Sequence, residues 1–119
     1  MNKLFVDLFV AAYIKCGLWA CCDENGEPLD GLYTTDDLSK AAKQNIREEC
    51  RCFIDENAEL LAGTDAEAAG QDFYLTRNRH GAGFWDGDWG EAGQPLTDSA
   101  HVWGSSYFYP DDNGEISVM

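Results

Sequence analysis

The sequence predicts an α+β domain in which N-terminal helices pack on a small antiparallel β-sheet formed by the C-terminal half. Apolar residues recur at three- and four-residue steps as far as Leu61, which is helical spacing. From Gln71 onward, aromatic runs alternate with glycines. Near the end, Tyr107-Phe108-Tyr109 and Ile116-Ser117-Val118 flank Pro110-Asp111-Asp112-Asn113-Gly114, a turn-forming cluster that reads as a hairpin. The 119 residues suit one domain, 1–119, with a helical half over 1–70 and a β-rich half over 71–119.

The segment Met1 to Cys22 reads as a helix, with Lys3, Asp7, Ala11 and Lys15 recurring every fourth residue on an otherwise apolar cylinder. Leu18-Trp19-Ala20-Cys21 has some likeness to a lipoprotein cleavage box. Asp7, Lys15 and the bulky Trp19 argue instead against export or membrane anchoring. Lys3 and Asp7 are spaced to pair. A helix apolar on most sides is either central to its domain or shared with a second subunit, and the second alternative is a homodimer through this helix. Asn25-Gly26, Pro28 and Gly31 then mark a loop.

The second helix is the clearest element. Thr34-Thr35-Asp36-Asp37 supplies a cap and N-terminal carboxylates. Leu38, Ala42, Ile46, Cys50, Phe53, Leu60 and Leu61 then share one face, Asn57 among them. Gly63 is a stop, and Thr64-Asp65-Ala66-Glu67 is a capping box for a short helix ending at Gly70. Beyond it, Phe73-Tyr74-Leu75-Thr76 and Phe84-Trp85 are expected as strands with Gly81 and Gly83 bending the chain between them. A further helix is expected over Leu96 to Trp103, confined by Gly93 and Pro95.

Eight Lys and Arg against 22 Asp and Glu leave a net charge of −14. Such a chain lacks the cationic footprint of a module that grips nucleic acid directly. The charge is uneven. Asp23, Glu24, Glu27, Asp30, Asp36 and Asp37 lie between Cys16 and Ser39 with no Lys or Arg. Asp86, Asp88, Glu91, Asp98, Asp111, Asp112 and Glu115 follow His80, again with none. Four bases, Lys40, Lys43, Arg47 and Arg51, crowd onto the second helix. Carboxylates one helical turn apart lie about 6 Å apart, against one DNA charge per roughly 1.7 Å of duplex axis. Such an array can occupy a basic nucleic-acid channel, whereas a high net charge by itself serves solubility. The expected contact residues are Asp86, Asp88 and Glu91 with Trp85 and Trp89 as aromatic anchors, together with Asp111, Asp112 and Glu115.

Asp72-Phe73-Tyr74-Leu75-Thr76-Arg77-Asn78-Arg79-His80-Gly81-Ala82-Gly83-Phe84-Trp85-Asp86 is the densest motif. Arg77, Arg79 and His80 form its cationic cluster. They are candidates for a ligand or anion site, or for ion pairs with Asp72 and Asp86 across the predicted hairpin. The motif resembles a family of small acidic phage and prophage proteins sharing a Phe-Trp-Leu-Thr-Arg-Asn-x-His-Gly-Ala-Gly-Phe-Trp-Asp core. Tyr74 stands where that family usually has Trp, and Arg79 is an additional arginine. Leu18-Trp19, Glu27-Pro28-Leu29-Asp30 and the second helix extend the resemblance over most of the chain. It implies phage or prophage origin and carries over no activity.

Charge and resemblance together give the expected function. It is a non-catalytic, DNA-mimicking inhibitor of a host defence or nucleic-acid-handling enzyme, of the anti-CRISPR or anti-restriction type, acting in the host cytoplasm on a protein with a basic surface and binding neither nucleic acid nor membrane. The alternatives are an accessory or structural phage protein whose acidity serves solubility, and a small hydrolase with His80 as base oriented by Asp86 or Asp72. No nucleophile elbow, Walker sequence or dinucleotide fingerprint is present, so no cofactor is expected. Asp86-Gly87-Asp88-Trp89-Gly90 starts like a calcium loop but has Gly90 at a ligand position, so no metal is expected. The five cysteines, Cys16, Cys21, Cys22, Cys50 and Cys52, are odd in number and suit a reducing compartment better than a disulfide framework. Helical spacing turns Cys50 toward the core and Cys52 away from it.

Overall fold

A computed structural model describes residues 1–119. It is α+β, with five helices and one two-stranded sheet: α1 Lys3–Ala20, α2 Lys40–Glu56, α3 Ala58–Leu61, α4 Ala66–Arg77, α5 Gly93–Val102, β1 Phe108–Pro110 and β2 Ile116–Val118. Asn2 caps α1 by accepting the Phe5 N–H, and Lys3 pairs with Asp7 at 3.3 Å as its spacing predicts. Asp7 also binds Arg47 of α2 at 2.8 Å, tying the two helices together at their solvent edge. No helix is long and apolar enough to cross a membrane.

The second helical region begins later than its cap sequence suggests. Thr34 and Asp37 form a reciprocal capping box around a single 3-10 turn. Leu38 then runs extended beside Ile116 before Ser39 caps α2. The helix also stops earlier, at Asn57. Its buried side-chain amide donates to the Phe53 carbonyl and to the Ser99 hydroxyl, which links the break to α5. The C-terminal hairpin forms as expected, in the register Phe108↔Val118, Tyr109↔Ser117 and Pro110↔Ile116.

The predicted strands at 73–76 and 84–85 are not strands. Phe73-Tyr74-Leu75-Thr76 lies inside α4, which runs through Gly70 to Arg77 instead of ending at that glycine. Asp65, not Thr64, caps it. Residues 78–89 follow as turns and bends, Gly90–Ala92 form a single 3-10 turn, and α5 starts at Gly93 with Pro95 in its first turn, where proline's missing N–H has no helical partner to lose. The C-terminal half therefore holds a helical core segment and only one small hairpin.

α4 is central because α1 lies directly against it. A Cβ at Gly70 would strike the Phe9 carbonyl, so the absence of a side chain is what lets the two backbones approach. Around this crossing Phe9, Tyr13, Phe53, Phe73, Tyr74, Phe84 and Phe108 are buried. Phe53 and Phe73 stack at 4.0 Å, and Tyr74 meets Tyr13 and Phe108 edge-on. Offset and edge-to-face contacts of this kind add to the burial term that dominates a small core.

Candidate functional site

The dense motif spans the C-terminal turns of α4 and the loop that follows, and most of it serves the fold. Thr76 Oγ1 accepts the Phe84 N–H, and Asn78 Oδ1 accepts the Ser106 N–H. Gly83, at φ +150, passes so close to Thr76 Oγ1 that any side chain would collide with it. Arg77 is not an anion site. Its side chain is 3% exposed, and it donates to the Tyr13 hydroxyl, Glu49 Oε1 and the Trp103 and Gly104 carbonyls. Burial alone lowers its basicity, but the neighbouring Tyr13 and Glu49 more than offset this, and the guanidinium is held charged. The expected ion pairs with Asp72 and Asp86 are replaced by this inward network.

Arg79 and His80 stand on the surface, Arg79 at φ 55. The His80 ring lies 6.4 Å from the exposed Trp19 and takes no side-chain hydrogen bond. The two carboxylates that the hydrolase reading assigns to it are engaged elsewhere: Asp72 accepts the Trp89 indole N–H at 2.7 Å, and Asp86 accepts the Gly83 N–H. The motif's three cations therefore do not converge.

The first acidic group lies on one stretch of turns, and two of its members, Asp86 and Asp88, come near Asp72. Asp86, Asp88 and Glu91 are exposed on the turns between α4 and α5, with Trp85 52% exposed beside them. Trp89 is half-buried rather than a free anchor. Its indole packs edge-on against Phe84 and holds Asp72. Asp72, Asp88 and Trp89 share a groove of about 380 Å³ with Leu60, Asp65 and Ala68. A second groove, about 570 Å³, lies beyond Asp65 and Ala68 and is lined by Ala12, Lys15, Cys16, Trp19 and Glu67. Both follow the outer side of α4. Asp65 and Asp72 are groove acids whose kinship the expected helix end at Gly70 concealed; on a continuous helix they fall on one stripe with Ala68.

Burial raises the Asp72 carboxyl above its ordinary 3.8, and the nearby Asp86 and Asp88 raise it further against the Trp89 hydrogen bond. The folded protein thus holds this proton more tightly than the unfolded chain. Stability from this group is greatest below 3.8 and falls as pH rises through the raised value, leaving a penalty at neutrality. Asp72→Asn keeps an acceptor for Trp89 and removes the charge, so its melting temperature at neutral pH should exceed wild type and the difference should shrink in acid. A lower melting temperature at neutral pH would show that the charged bond to Trp89 outweighs desolvation.

The second acidic group divides. Asp111 Oδ1 accepts the Asn113 and Glu115 N–H groups, and Oδ2 accepts the Ser117 hydroxyl at 2.7 Å. The Ser117 bond and these N–H groups hold its carboxyl below the usual range. Asp111 is thus a turn builder, whereas Asp112 and Glu115 point to solvent. No hydrogen bond or ion pair joins this turn to the Asp86 group.

Cys50 is buried and Cys52 exposed, as helical spacing predicts. Burial pushes the Cys16 thiol up to about 12, far from a reactive thiolate. Cys21 Sγ lies 3.0 Å from the buried Tyr74 hydroxyl and accepts the Phe108 N–H, joining α1 to α4 and β1. In comparisons with family models, curated proteins and solved structures, the chain matches none.

Proposed function

We propose that the protein is an acidic binding protein that seats its carboxylates in the basic cleft of a nucleic-acid-handling enzyme and so excludes the nucleic acid. The observation that carries this reading is the lack of internal neutralisation: of 22 acidic side chains, only Asp7 and Glu49 pair with a cation. Asp86 and Asp88 beside Asp72, with Glu91 exposed on the same turns, are the surface on which the reading centres, and Trp85 is its exposed anchor. Unpaired exposed carboxylates retain the long-range field that steers a basic partner into contact, which internal salt bridges would cancel. The motif's resemblance to phage proteins supports a phage-encoded inhibitor of a host defence enzyme, working in the host cytoplasm.

Immobilised protein should capture a partner from bacterial lysate at low ionic strength and release it as salt rises. The captured partner should fail to bind duplex DNA until the protein is removed. A partner that binds DNA and this protein together would overturn the mimicry, and capture of nothing at low salt would leave acidity as a solubility device.

A further inference from the structure

We infer that the outer face of α1 is a homodimer interface, on which two copies meet along antiparallel α1 helices about a two-fold axis. Phe9, Tyr13, Ile14 and Cys16 turn this helix's inner side into the core. Its outer side presents Leu4, Leu8, Ala11, Lys15 and Trp19 at three- and four-residue steps, one line along the helix. Leu4 is 66% exposed, Leu8 38% and Trp19 60%. An 18-residue helix is about 27 Å long, so the line is an extended apolar strip rather than a scattering of single residues.

Charge selects the occupant. In a molecule of net charge −14, this strip carries no carboxylate, and its one charged residue is Lys15, which makes no salt bridge. Asp7 flanks the strip but is held by Lys3 and Arg47, so two copies can meet along it without setting one unpaired α1 carboxylate against another. The groove beside the strip is lined by Ala12 and Trp19 and by two carboxylates, Asp65 and Glu67, with Lys15 as its single cation. A second copy supplies both an apolar line for the strip and a second lysine for those carboxylates. Parallel pairing would set Lys15 against Lys15 and align the helix dipoles. Antiparallel pairing sets Trp19 against Leu4 and Lys15 against Leu8, offers each Lys15 the facing Asp65 and Glu67, and leaves the small Ala11 at the centre, where the backbones come closest.

This face adjoins the Asp72 groove at Asp65 and Ala68 but does not include Asp86, Asp88 or Glu91, and salt tells the two apart. Sedimentation equilibrium should show a monomer–dimer equilibrium that strengthens as salt screens the repulsion between two like-charged copies, the reverse of the expected behaviour with a basic partner. Leu4→Glu should raise the dimer dissociation constant about a hundredfold, because it acts twice across the axis, while leaving the melting curve of the monomer unchanged. Leu8→Glu should do the same. In a Cys22→Ser/Cys52→Ser background, Ala11→Cys should form an intermolecular disulfide on mild oxidation. A monomer at every concentration in low and high salt, or a dimer that neither glutamate weakens, overturns the proposal.

Discussion

Arg77→Met should destabilise the fold by about 3–5 kcal/mol, the cost of removing one partner from a buried ion pair. The side chain is almost fully enclosed, and its loss strands Glu49, the Tyr13 hydroxyl and the two carbonyls at the end of α5. Its guanidinium also lies 5.5 Å from the centre of the Phe73 ring, so α2, α4 and the α5 terminus lose their common tie. Adding Glu49→Gln should restore part of the loss, since the orphaned charge goes with it. Urea denaturation of both variants measures this. A wild-type midpoint for Arg77→Met would mean that the network is absent in solution and that Arg77 is free for a ligand after all.

Gly70→Ala should cost about 3 kcal/mol, at the upper end of what overpacking a core usually does. In an exposed helix the same change gains up to about 1 kcal/mol from helix propensity, so the sign of the effect is diagnostic. The alanine methyl has nowhere to go, because the nearest atoms are the Phe9 carbonyl group and not a movable side chain. Separating α1 from α4 by even part of an ångström would loosen Phe9, Phe73 and Tyr13, which meet at this crossing. Gln71→Ala on the exposed neighbour should stay within about 0.5 kcal/mol of wild type. If both alanines behave alike in thermal unfolding, the helices do not touch at Gly70.

These two residues also mark where sequence reading met its limit. α1, α2 and the terminal hairpin were legible because each has a polar side or a turn cluster that fixes its period. α4 has little of either: Phe73 through Arg77 are all buried, so no helical stripe stands out and β-prone residue types suggest a strand. Gly70 looked like a stop, yet it is a point of close approach that only the fold reveals. Arg77 looked like surface because charge usually is. Asp86, Asp88 and Glu91 were legible because short polar turns are exposed wherever they fall. Asp65 and Asp72 were not, since their shared stripe exists only if α4 is a helix. Asp111 looked free because its Asx-type bonds to the Asn113 and Glu115 N–H groups depend on the turn it builds.

The most direct measurement compares two charge-matched variants in capturing a basic partner from lysate. One carries Asp86→Lys, Asp88→Lys and Glu91→Lys; the other carries Glu24→Lys, Glu27→Lys and Asp30→Lys on the exposed loop after α1. Both change the net charge equally, so any difference belongs to position. Loss of capture by the first variant with retention by the second is the predicted result. Equal capture by both, or equal loss from both, would contradict a defined anionic surface and leave only the total charge.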